Sequence, residues 1–96
     1  MSIVRLIYVS VKPNQIGEAV KLWKEHCAPL TIQQPGCLSE KLLECVDVPG
    51  EFISYSEWDS QASIDKYRAG QAHKEIQKHA RGLQEGGATV KRYEIK

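Results

Sequence analysis

Residues 37–58 read Cys-Leu-Ser-Glu-Lys-Leu-Leu-Glu-Cys-Val-Asp-Val-Pro-Gly-Glu-Phe-Ile-Ser-Tyr-Ser-Glu-Trp, and the order of the remaining elements turns on this stretch. Asp47-Val48-Pro49-Gly50 holds turn residues, because proline presets its φ and glycine accepts φ angles closed to other residues. Strand chemistry resumes directly afterwards with Phe52-Ile53-Ser54-Tyr55-Ser56-Glu57-Trp58, so a strand from about Cys37 to Val46 is expected to pair antiparallel with it. Alternation then puts Phe52, Ser54, Ser56 and Trp58 on one face and Ile53, Tyr55 and Glu57 on the other.

Upstream, Ile3 to Val11 is rich in β-branched residues and reads as the first strand, with Ile3, Ile7, Val9 and Val11 on one face and Val4, Leu6 and Tyr8 on the other. Both faces are largely apolar, which predicts cover on both sides. Lys12-Pro13-Asn14 stops the strand and offers Asn14 as a cap. Ile16, Val20, Trp23, Cys27 and Leu30 then recur at helical spacing, and Pro29 predicts a kink or a restarted turn before Gln33-Gln34-Pro35-Gly36 closes the helix. Downstream, Asp59-Ser60 caps a short helix through Ala69, Gly70 breaks it, and a further helical stretch runs from about Gln71 to Leu83. Gly86-Gly87 then turns the chain into a last strand, Ala88 to Ile95.

The resulting order β-α-β-β-α-β is the α+β, ferredoxin-like split arrangement, with helices on one face of a four-stranded antiparallel sheet. Its other face would carry Tyr55, Tyr93 and one apolar side of the first strand, a patch that predicts a homodimer. Size agrees, since a 96-residue chain read as one domain, 1–96, buries only a modest share of its surface by itself.

Thirteen Lys and Arg against twelve Asp and Glu give a formal charge of +1, with both signs interspersed. The densest basic run, Lys74, Lys78 and Arg81, is broken by Glu75 and Glu85, so neither a nucleic-acid nor a membrane partner is expected. Cys27, Cys37 and Cys45 lack the close spacing of a zinc or redox motif and read as reduced thiols. The N-terminus has no leader pattern and no run reaches membrane-span length, which makes the cytoplasm the expected location.

Val11-Lys12-Pro13, the amphipathic helix, Gln34-Pro35-Gly36-Cys37, Phe52-x-x-Tyr55-x-Glu57-Trp58-x-Ser60 and Ala72-His73 together resemble the antibiotic biosynthesis monooxygenase family over nearly the whole chain. The resemblance implies a dimeric α/β barrel, a pocket between helices and one sheet face closed partly around Gly70, and a dimer through the opposite face. It also implies a choice of chemistries, among them cofactor-free oxygenation of quinols and anthrones, haem degradation, and turnover of small signalling molecules. In the anthrone-oxidising branch an asparagine and a tyrosine flank the tryptophan where this chain has Ser54 and Ile64, so that mechanism does not carry over residue by residue. Haem degradation is not expected, because Ile7 or Tyr8, Tyr67 and Gln77 stand in place of that branch's Asn, Trp and His.

Within that frame Trp58 and His73 are the catalytic candidates, the indole as an oxyanion donor and stacking wall, the imidazole as base or proton relay. Trp58 as a core anchor and His73 as a surface histidine are the competing readings. Tyr67, Ser54, Ser56, Tyr8, Phe52 and Ile64 are the expected substrate-binding set. His79 falls on the other side of the helix from His73, His26 faces solvent, and no dinucleotide glycine motif or close His/Cys/Asp cluster appears, so neither metal nor organic cofactor is expected. The expected partners are a small aromatic, quinol-like or enolisable substrate and molecular oxygen, with the substrate's anion supplying the electrons. A non-catalytic binder of a small metabolite, or a purely structural dimerisation domain, are the alternatives.

Overall fold

Strand β1 (Ile3–Ser10) is apolar on both faces and takes an interior place in the sheet, paired antiparallel with β3 (Glu51–Trp58) on one side and β4 (Thr89–Glu94) on the other. Strand β2 (Cys37–Glu44) pairs with β3 as the expected hairpin, giving the order β2-β3-β1-β4 of the split ferredoxin-like sheet. The computed structural model describes residues 2–80 and 87–96, residues 79 and 80 by their backbone alone. The expected helix extension to Leu83, Gly86 of the turn, Arg81 and Glu85 lie outside the described residues, as does the side chain of His79.

Helix α1 (Ile16–Leu22) runs into a π-helical stretch, Trp23–Cys27, and then α2 (Ala28–Ile32). The Ala28 N–H reaches back to the Trp23 carbonyl, and Pro29 falls in the first turn of α2, where its missing N–H costs little. The irregularity expected at Pro29 is thus absorbed just before it, as a widened turn. Ser60 caps α3 (Gln61–Arg68), its hydroxyl accepting from the Ser63 N–H at 3.2 Å, and α4 (Gln71–Ala80) follows the break at Gly70.

The helices cover the face carrying Phe52, Ser56 and Trp58. Trp58 and Ile64 are wholly buried and form the core with Tyr67, against which Ile3, Cys37, Ala72 and Ile76 pack. Each such side chain stabilises by roughly 1.5–3 kcal/mol on burial. A bulge between Cys37 and Ser39 shifts the phase of β2, so that Cys37 lies opposite Trp58 while Glu40 lies opposite Ser56.

The hairpin is two residues shorter than expected on its first side, since Val46 is fully in the loop and 94% exposed. Gly50 has φ +92° and its carbonyl accepts from the Val11 N–H at 2.8 Å, tying the turn to the end of β1. An added Cβ there would meet the Val11 carbonyl oxygen. Gly50→Ala is expected to destabilise by about 1–3 kcal/mol, the range for a side chain forced to positive φ. Urea denaturation measures this, and an unchanged midpoint would show that the turn is not held in this conformation.

Candidate functional site

Between the sheet and the helices lies a cavity of about 130 Å³. A dry cavity of about 150 Å³ accepts a benzene ring, so this one suits a single small aromatic. Its floor is the odd face of β1, with Arg5, Ile7, Val9 and Val11, together with Glu40 and Leu42 of β2 and Phe52, Ser54 and Ser56 of β3. Its roof is Ala19, Leu22, Trp23, Cys27 and Thr31 from the first helical layer, with Tyr67 of α3 and Ile76 of α4 at one end. Gly70 is not among the residues that line the cavity.

Phe52, Ser54, Ser56 and Tyr67, all expected in the pocket, line it. The remaining expected site residues are placed differently. Tyr8 is corrected to the opposite sheet face, because β1 turns its odd positions to the helices; Lys91 lies over the Tyr8 ring at 5.7 Å. Ile64 belongs to the core and not to the cavity wall. Trp58 is likewise core, and its indole N–H donates to the Ser56 Oγ at 2.9 Å, so that donor is engaged within the protein. Ser56 in turn donates to the Arg5 carbonyl at 3.4 Å. His73 stands behind Tyr67, edge-on with ring centroids 5.1 Å apart, and Tyr67 itself stacks at 5.0 Å on Trp58. Burial, then Arg5 and Arg68, hold the His73 pKa below its usual value, partly offset by the Arg68 carbonyl.

Two charged residues that the sequence reading passed over face the cavity. Arg5 is 6% exposed, and burial lowers its pKa, although a guanidinium stays charged at any working pH. Glu40 accepts a hydrogen bond from the Ser54 hydroxyl at 3.1 Å. Burial pushes its pKa up to about 7, against the opposing pull of Ser54 and Arg5. Among the described residues neither takes part in a salt bridge. The register explains why: Arg5 and Glu40 both lie opposite Ser56, one on each side of β3, two strand spacings or roughly 10 Å apart. Sequence signals for both existed, an arginine inside an otherwise apolar face of β1 and a glutamate within a half-buried strand.

Burial first, then the Glu40 charge, raise both Cys27 and Cys37 to about 11, far from the thiolate needed for nucleophilic attack. Burial also raises Tyr67 above the ordinary phenol range, opposed by the Thr31 hydroxyl and Arg5. Among the described residues no group of three His, Cys, Asp or Glu side chains gathers as a metal-ligand set.

Glu40 has a stability consequence. Its folded pKa of about 7 lies above the ordinary carboxyl value of 4.5, so the folded state binds the extra proton and stability falls as pH rises between these values. Glu40→Gln is therefore expected to stabilise the protein above pH 7 by about 1–3 kcal/mol and to flatten the dependence of Tm on pH over that window. Calorimetry across the window checks this; a variant less stable than wild type above pH 7 would show that the carboxylate is well solvated. The buried thiols make a separate prediction: Cys27 should resist iodoacetamide in the native protein and react once urea unfolds it. Rapid native labelling of Cys27 would mean that its thiol is accessible.

The profile of the antibiotic biosynthesis monooxygenase family matches residues 2–79. Among solved structures, a conserved protein from Methanosarcina mazei Go1 superposes with a TM-score of 0.88 at 21% identity, covering 100% of this chain and 94% of that one. An antibiotic biosynthesis monooxygenase superposes at 0.83 with 23% identity and 98% coverage of both chains. Rv0793 from Mycobacterium tuberculosis gives 0.83 at 17% identity, covering 100% and 96%. No curated protein matches the sequence. Identities this low speak to the fold, whereas the profile spans most of the chain and includes β1, the hairpin and the helices that build the cavity. The chain belongs to the antibiotic biosynthesis monooxygenase family.

Proposed function

We propose that the protein is a cofactor-independent monooxygenase acting on a small quinol-like or enolisable aromatic held in the cavity between sheet and helices. The observation that carries this reading is an apolar, ring-sized cavity whose few polar groups include a buried guanidinium and a carboxyl poised near neutrality. Such a substrate needs no added reductant. Removing its proton leaves an electron-rich anion that reduces oxygen itself, and a ring methylene becomes a carbonyl while the second oxygen atom leaves as water. The protein supplies a base, a dry enclosure and a cationic partner for the anion. Trp58 acts through Ser56, which it holds in the cavity floor, and His73 acts behind Tyr67 as a relay for the released proton.

The protein works as a homodimer in this proposal. The sheet face away from the helices carries Val4, Leu6, Tyr8, Ile53, Tyr55, Leu43 and Tyr93 in neighbouring register, and Leu43 and Tyr93 are exposed. A second copy would cover them through a two-fold interface.

A non-catalytic metabolite binder is the second reading, favoured by Ser54 and Ile64 standing where the anthrone-oxidising branch has its asparagine and tyrosine. Oxygen uptake by metal-free protein with a panel of quinols and enolisable aromatics separates the two. Turnover that survives chelator is the expected result; saturable binding without oxygen uptake would favour the binder, and activity that follows added iron or haem would overturn the cofactor-free mechanism. For the assembly, light scattering at micromolar concentration should give twice the chain mass, with Tyr55→Glu shifting it toward monomer by placing a charge in the apolar interface. A wild-type protein that is strictly monomeric would contradict the dimer.

A further inference from the structure

We propose that Arg5 and Glu40 together bind the conjugate base of a weakly acidic aromatic hydroxyl compound, Arg5 pairing with its oxyanion while Glu40 holds the proton it has lost. The proposal deepens the monooxygenase reading and rests on it for the substrate class, but it concerns recognition and proton transfer only. In the transfer the ligand's O–H bond breaks, its electron pair stays on the oxygen, and the proton bonds to a Glu40 carboxyl oxygen.

The argument starts from the sheet. Glu40, Ser56, Arg5 and Arg92 form one row across β2, β3, β1 and β4, opposite one another in register. The residue between Arg5 and Glu40 is only a serine, and its hydroxyl is turned to the Arg5 backbone and the Trp58 indole. A guanidinium and a carboxyl thus share one cavity with a small residue between them and no contact to each other. Holding a charge partly out of water is costly, and in a cavity lined mostly by apolar side chains a partner arriving from solution offsets part of that cost for Arg5. The partner must be small and largely apolar to suit a cavity of this volume and lining, and must bring an oxygen anion to Arg5.

Charge balance narrows the class further. Ionised Glu40 and a bound anion would place two negative charges beside one cation, so an aromatic carboxylate, with no proton to give, binds only where Glu40 takes one from solution. A phenol or enol instead hands its proton to Glu40, and the site keeps one negative charge throughout. The groups facing Glu40 do not compete for that proton near neutrality. Arg5 on β1 remains charged; Cys27 on the π-helical stretch, Cys37 on β2 and Tyr67 on α3 are all raised and remain protonated; Ser54 on β3 does not ionise. On α4, His73 is lowered by burial, Arg5 and Arg68, and is neutral above pH 7.

The test is equilibrium binding of 4-nitrophenol, whose visible band reports its phenolate, to the full chain from pH 5 to pH 9. Bound dye should show the phenolate band at pH values where free dye is still protonated. Affinity should fall roughly tenfold per pH unit once free dye and Glu40 are both ionised, because binding then takes up one proton. Glu40→Gln should abolish that fall and leave a plateau, Arg5→Met should remove the band, and Arg5→Lys should keep it, with far-ultraviolet circular dichroism confirming that each variant folds. No saturable phenolate band in wild type, or a high-pH fall that persists in Glu40→Gln, overturns the proposal. Oxygen uptake is not read, so a wild type without turnover sinks the monooxygenase reading and leaves this result standing.

Discussion

Arg5 and Glu40 are held on one sheet face with β3 between them, and the separation set by strand spacing leaves a buried cation and a half-buried carboxyl in one cavity without a salt bridge between them. Most folds avoid this, since removing either charge from water costs several kcal/mol and only close pairing recovers it. Here the remaining structure is arranged around the tension. The hydrophobic core of Trp58, Ile64 and Tyr67 supplies apolar burial, and Tyr67 carries it to the wall of the cavity, which is left unfilled. Glu40 responds by moving its pKa to the middle of the physiological range, where a carboxyl can both take and return a proton.

The hydrogen bonds around Ser56 show how the position is enforced. Trp58 donates to Ser56, and Ser56 donates to the backbone of Arg5, so the core tryptophan fixes the small residue between the two charges. A large side chain in place of Ser56 would fill the gap. The widened turn at Trp23–Cys27 has a comparable effect on the roof, bringing Cys27 and Thr31 inward, where the Thr31 hydroxyl bonds the Cys27 carbonyl at 3.0 Å. Family membership accounts for the scaffold, but a fold of this kind hosts several chemistries, and it is these particular residues that argue for one of them.

Much of the scaffold was legible in the sequence because each element carries its own local signal: the Asp47-to-Gly50 turn, the Ser60 cap, the break at Gly70 and the period-two pattern of β3. The site was legible only in part. Phe52, Ser54 and Ser56 follow from alternation on a regular strand. Glu40 does not, because the bulge after Cys37 reverses the phase of β2, and plain alternation would place it away from Cys37 rather than beside it. Periodicity separates two faces of β1 without saying which one the helices cover, and so it cannot place Tyr8. Arg5 was hidden for the opposite reason: in a run of apolar odd positions it reads as an interruption, whereas its burial is the feature that gives the cavity its charge. Trp58 and His73 are residue types able to do chemistry, yet the indole is satisfied by Ser56 and the imidazole sits behind Tyr67.

The most direct measurement of the central claim is a carbon-13 NMR titration of the Glu40 side-chain carboxyl, assigned by comparison with Glu40→Gln. The account predicts a midpoint near 7 in the free protein and a carboxyl that stays protonated well above that pH when a small phenol occupies the cavity. A Glu40 that titrates in the ordinary range near 4.5, unmoved by the ligand, would contradict it.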